Sequence, residues 1–79
     1  MMSKTEAAYM ILKEAKKPLH IKEIIRIALK RNLIKTKGKT PDATLRTDMY
    51  LENRRKKTRG ERLRFKQIGP SVWTLVVNN

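Results

Sequence analysis

The chain has 79 residues, no cysteine, one histidine, and 20 lysines and arginines against 7 carboxylates, for a formal net charge of +13. That length holds one domain with a modest core and a thin margin of stability. The composition excludes a disulfide framework, a cysteine zinc site and any metal site built from histidines. Self-repulsion at this charge density costs stability, and a polyanionic partner offsets it; nucleic acid is the commonest, with an anionic membrane surface or an acidic protein as alternatives. The apolar runs are too short for a membrane span, and the N-terminus has no apolar secretory stretch. A soluble intracellular protein of the cytoplasm, nucleoid or nucleus, with no membrane partner, is therefore expected.

Ser3-Lys4-Thr5-Glu6 fits a capping box. Behind it Ala8, Ile11, Leu12 and Ala15 recur at helical spacing, with Lys13, Lys16 and Lys17 off that stripe or at its end. Met1 and Met2 are expected to fray, and Pro18 stops the helix. Leu19-His20-Ile21 reads as a short extended link able to pair at a sheet edge. Lys22 to Arg31 is a second helix burying Ile24, Ile25, Ala28 and Leu29. His20, just before it, reads as a local cap or core-edge residue more readily than as a phosphate contact. Asn32 suits a left-handed C-cap, after which Leu33 and Ile34 return to the core.

Lys35-Thr36-Lys37-Gly38-Lys39 sets three lysines around a glycine directly before a helix start. Thr40 as N-cap, Pro41 at the first helical position and Asp42 in the first turn define that start. Ammonium groups beside a helix N-terminus suit phosphate. The G-x-x-x-x-G-K-[ST] pattern of a nucleotide triphosphatase is absent. The third helix is expected from Pro41 to about Asn53, with Leu45 and Met49 inward. A step of about 100° per residue puts Arg46, Thr47, Tyr50 and Arg54 on the far face, flanked by Thr44 and Leu51. Arginine, threonine and tyrosine can bond both phosphates and base edges.

Arg54 to Arg64 carries seven basic residues in eleven and one acidic. With no apolar periodicity, residues 54–62 read as a mobile basic loop. Leu63 to Ile68 and Val72 to Val76 alternate apolar and polar residues around a Gly69-Pro70-Ser71 turn, a β-hairpin with Phe65 and Trp73 as core aromatics. Three helices followed by a C-terminal β-hairpin give an α+β winged helix-turn-helix over residues 1–79. In that geometry the third helix enters the major groove while loop and wing track phosphates.

Three segments carry a family resemblance: Pro18-Leu19-His20-Ile21-Lys22-Glu23-Ile24; Ala28 to Ile34; and Thr36-Lys37-Gly38-Lys39-Thr40-Pro41-Asp42-Ala43-Thr44-Leu45-Arg46. With the hairpin Arg64-Phe65-Lys66-Gln67-Ile68-Gly69-Pro70-Ser71-Val72-Trp73-Thr74-Leu75, they resemble the HARE-HTH family over residues 5–76. The resemblance implies a winged helix without catalytic residues, of the kind fused to chromatin regulators and restriction enzymes and found in the RNA polymerase delta subunit. Asn32 stands where the family usually has glycine. Asn53 stands where an apolar residue is common, and points to an early end of the third helix.

The expected function is binding of double-stranded DNA, as a small transcription regulator or a chromatin- or nucleoid-type architectural protein. Lys35, Lys37, Lys39, Arg54, Arg55, Lys56, Lys57 and Arg59 are the candidate phosphate contacts. Thr44, Arg46, Thr47 and Tyr50 are the candidate groove contacts, with Thr40 at the helix start. The alternative is an adaptor docking on RNA polymerase or another transcription or chromatin protein. RNA is less favoured, for want of aromatic stacking platforms. Neither an enzyme, a cofactor nor a metal site is expected, and a monomer is the default.

Overall fold

Ser3 fixes the start of the first helix: its Oγ accepts the Glu6 N–H at 3.2 Å, and α1 runs Lys4–Ala15. The computed structural model describes residues 2–35 and 40–76. Met2 does not fray, because its N–H donates to the Leu33 carbonyl at 3.2 Å and its side chain packs against the core. Lys16, left-handed at φ 56°, closes α1. Leu19–His20 then forms the short strand β1, and α2 runs Ile21–Lys30. His20 caps α2, its Nδ1 accepting the Lys22 N–H at 3.1 Å. Asn32 takes the left-handed conformation at φ 55°. The Asn32 N–H then reaches Leu29 O at 3.1 Å and the Leu33 N–H reaches Ala28 O at 2.9 Å. Those paired bonds close a helix with the chain turned back toward the core.

The buried face of α2 is Ile21, Ile24, Ile25 and Ala28. Leu29, expected inside, is 37% exposed. It lies one helical step beyond Ala28, past the edge of the packed stripe.

The main departure from the sequence reading is the third helix. α3 runs Pro41–Arg59, so the segment expected as a basic loop is helical to within a residue of Gly60. Arginine and lysine are good helix formers, and neither glycine nor proline intervenes between Pro41 and Gly60. Cations in the last turn also suit the negative end of the helix dipole. The stop is Gly60 at φ 72°; its N–H reaches Lys57 O at 3.2 Å and the Glu61 N–H reaches Lys56 O at 2.8 Å. Asn53 does not end the helix. Its Nδ2 donates to the Phe65 carbonyl at 3.0 Å, tying α3 to the sheet. Thr40 holds the N-cap position without a side-chain capping bond.

β2 (Phe65–Gly69) and β3 (Val72–Leu75) form an antiparallel hairpin, and β1 adds to the far edge of β3, giving the order β1-β3-β2. Leu19 pairs with Trp73, and Phe65 with Leu75. An irregularity between Gln67 and Gly69 leaves Ile68 half exposed. Pro70 and a left-handed Ser71 make the turn, the arrangement in which proline presets the first turn residue. The turn does not project freely: the Ile21 N–H donates to Ser71 O at 2.7 Å.

Helices and sheet close on one core that includes Ala8, Ile11, Leu12, Ile24, Leu45, Met49, Phe65 and Trp73. Arg64, directly before β2, locks its rim. Its guanidinium donates to both oxygens of Glu52 on α3, at 3.0 and 2.5 Å, and lies 2.9 Å from Glu6 on α1. The same group sits 4.9 Å above the Tyr9 ring centre. These partners, Glu52 foremost, raise the Arg64 pKa above its ordinary value. Arg64 and Glu52 are 22% and 17% exposed, whereas Glu6 is 53% exposed and adds less.

Two substitutions test this account. Arg64→Ala leaves Glu52 largely covered and without its fork, and should cost about 2 kcal/mol in urea unfolding. At Gly60 an added Cβ meets nothing within 4 Å. Gly60→Ala should therefore cost only the left-handed backbone penalty, about 1 kcal/mol.

Candidate nucleic-acid interface

Nineteen residues at about 1.5 Å each make α3 roughly 28 Å long, against a longest molecular dimension of 33 Å. Its only fully buried side chains are Leu45 and Met49. From Arg54 onward all its side chains but Lys56 are exposed. The helix is thus anchored by its first half and presents its second half as a ridge.

That ridge has two unlike flanks. Toward the hairpin lies a groove of about 610 Å³ lined by Tyr50, Asn53, Arg54, Lys57, Gln67 and Trp73. It continues past Tyr50 to Arg46 and Thr47. Toward the start of α1 lies a second groove of about 340 Å³, where Arg55, Lys56 and Arg59 meet Asp48, Glu52 and Glu61. The two sets are about half a turn apart around the helix. The two grooves therefore differ: the one facing the hairpin is lined by no carboxylate and the one facing α1 by three, while Arg55 and Arg59 also line, with Arg54, a smaller carboxylate-free cleft of about 240 Å³ between them.

Of the cations on the second half of α3, Arg59 alone has an ion-pair partner among the described residues. Arg59 lies 3.8 Å from Glu61, and Arg31, away from α3, lies 2.6 Å from Glu14. Arg26 pairs with Glu23, whose carboxyl it holds below the ordinary range, first by hydrogen bonding. Among the described residues, Arg46, Arg54, Arg55, Lys56 and Lys57 make no ion pair.

Arg46, Thr47, Tyr50 and Arg54 are all exposed, as is Thr44. Tyr50 is 57% exposed and not a packing residue. The Thr47 hydroxyl donates to Ala43 O at 3.0 Å and the Thr44 hydroxyl to Thr40 O at 3.3 Å, which leaves their lone pairs for an incoming donor. Lys35 and Thr40 are exposed before α3. Lys37 and Lys39 lie outside the described residues, and so does the glycine between them. Arg55 and Arg59 fall on the α1 flank, and Lys56 is half-buried beside them. The sequence reading missed Asn53, Gln67 and Trp73 as groove residues. No periodicity signals them, because the groove arises only when the hairpin folds back beside α3.

Three helices with a small antiparallel sheet, β1 joining the C-terminal hairpin, define a winged helix-turn-helix domain. The family model for HARE-HTH (ASXL, restriction endonuclease HTH domain) matches residues 2–77, and the chain belongs to that family. Comparison with curated proteins and with solved structures gave no match. Among the described residues no helix is long and apolar enough to cross a membrane.

The unpaired cations should be felt in the free protein. Raising ionic strength from about 0.01 M to about 0.15 M shortens the screening length from about 30 to about 8 Å. The urea midpoint should rise over that interval, since relieved repulsion outweighs the loss from exposed ion pairs. A falling midpoint would mean that ion pairing dominates.

Proposed function

We propose that the protein binds double-stranded DNA, with α3 at the major groove and the hairpin flank of α3 against the duplex. The observation that carries this reading is the carboxylate-free groove on that flank, bordered by Arg46, Arg54 and Lys57. An anion approaching there meets cations without competing acids. On the α1 flank it meets Asp48, Glu52 and Glu61 as well. Membership of a helix-turn-helix family points the same way. Arg54 and Lys57 take phosphates, assisted by Lys35 and Thr40 before the helix and by Lys66 on β2. Arg46, Thr47 and Tyr50 sit where base edges or the inner backbone pass. Arg55, Lys56 and Arg59 contribute chiefly through their field. Most of the affinity then comes from phosphates and depends weakly on sequence, which suits an architectural protein of chromatin or nucleoid or a small transcription regulator.

If about six phosphates are neutralised, log K should fall against log salt with a slope of roughly −5. Two double variants with the same charge change separate contact from bulk field. Arg54→Ala/Lys57→Ala should lower duplex affinity at every salt concentration and flatten the slope by about two units. Arg55→Ala/Arg59→Ala should flatten it by less than one. Equal effects of the two pairs, read by fluorescence anisotropy, would mean that the duplex does not lie on the hairpin flank. A slope near zero would remove the DNA reading and favour docking on a protein.

A further inference from the structure

Two residues of the hairpin-flank groove each carry a buried polar atom that the protein leaves unsatisfied. Trp73 Nε1 can only donate, and Asn53 Oδ1 can only accept. Both atoms are buried, and neither has a hydrogen-bond partner among the described residues. Trp73 as a whole is 2% exposed. Asn53 is held in this orientation by its other amide atom, since Nδ2 donates to Phe65 O. Such orphaned atoms are few in folded proteins and cost stability where they occur. The two residues that carry this unpartnered donor and acceptor both line one groove, in company with Tyr50, Arg54, Lys57 and Gln67, so the two atoms lie just beneath its wall. Its volume of about 610 Å³ falls within the roughly 300–1,000 Å³ of small-molecule clefts.

We propose that this groove takes a single unstacked nucleobase of the bound DNA. The proposal rests on the DNA-binding reading above and adds a ligand to it. An adenine or cytosine edge presents an amino donor beside a ring-nitrogen acceptor. The amino group satisfies Asn53 Oδ1, and the acceptor satisfies the Trp73 N–H. Tyr50, exposed at the groove wall, supplies an aromatic face for stacking. Arg54 and Lys57, exposed beside it, hold the phosphates on either side of the extruded nucleotide. Entry requires lining side chains to part. Tyr50, Arg54, Lys57 and Gln67 are all exposed and can swing outward without disturbing the core. Extrusion costs least where a base is already unpaired. The groove therefore makes the protein prefer DNA with a bulged or mismatched base over a perfect duplex.

Anisotropy titrations at one salt concentration test this with three labelled DNAs: a perfect duplex, the same duplex with one bulged adenine, and the same bulge carrying an abasic residue. The bulged adenine should bind roughly tenfold tighter than the perfect duplex, the stacking and edge contacts setting that factor. The abasic bulge, equally flexible but lacking the base, should lose the gain. Tyr50→Ala, which changes an exposed residue, should bring the bulged adenine down to the level of the perfect duplex; the readout is the ratio between the DNAs, because Tyr50 also faces the duplex and its loss can lower the affinity for all three. Trp73→Phe keeps an aromatic ring in the core and removes the N–H, and should reduce the preference. Equal binding of the abasic and base-containing bulges overturns the proposal, as does equal binding of all three by the unaltered protein. In either case the perfect-duplex titration still reports on the underlying reading. No binding to any of the three overturns both.

Discussion

The fold depends on how residues 64 and 65 are held. Phe65 is fully buried, its carbonyl takes the Asn53 amide, and the guanidinium before it forks onto Glu52 and reaches Glu6. In two consecutive residues the sheet is fastened to α3 by a hydrogen bond and an ion pair, and to α1 by a second pair over the Tyr9 ring. A core with so few large side chains supplies a limited driving force for a chain of 79 residues. A half-covered arginine between two carboxylates brings the elements into one relative position, which apolar packing alone specifies loosely. Asn53 belongs both to this junction and to the lining of the groove between α3 and the hairpin.

Charge works in the opposite direction and is placed where it does least harm. The carboxylates of α3, Asp42, Asp48 and Glu52, all precede Asn53, and the last six residues of the helix are all basic save Thr58. That end of the helix lies outside the core, so mutual repulsion there is screened by water and not concentrated in a low-dielectric interior. Helix formation survives because the cations have high intrinsic propensity, sit at the favourable end of the dipole, and finish on a glycine that satisfies the last carbonyls. The repulsion is a standing cost that a row of phosphates would reverse.

Much of this was legible in the chain itself. The Ser3 N-cap, the left-handed stop at Asn32, the Pro41 helix start and the hairpin with two core aromatics each rest on local chemistry, and each appears in the structure, although the Glu6 carboxylate turns to Arg64 and does not complete a capping box. The third-helix boundary was misplaced because a run of arginine and lysine lacks apolar periodicity, and absence of periodicity reads as loop. Helix propensity, with Gly60 as the next available stop, was the better guide there. Helical spacing makes the apolar stripe of α2 one residue wider than the face that packs, which is why Leu29 lies outside the core. The Arg64 junction and the groove residues left no local trace at all. They join positions 6, 52 and 64, or 53 and 73, which sequence spacing cannot bring together.

The same misplacement changes what the helix can do. If α3 ended near Asn53, Arg54 to Arg59 would be a flexible basic tether, giving affinity through charge alone and no fixed relation to the groove. As a helix, the segment divides its cations by angle. Arg54 and Lys57 fall on the side of Tyr50 and Trp73, and Arg55 and Arg59 on the side of Asp48 and Glu61. The five cations thus divide two and three between unlike surroundings, and the hairpin flank is the one that also carries an exposed aromatic ring and the two residues with unsatisfied polar atoms. A bare charge count makes residues 54–59 one uniform patch. Helical geometry makes them two, with unlike surroundings.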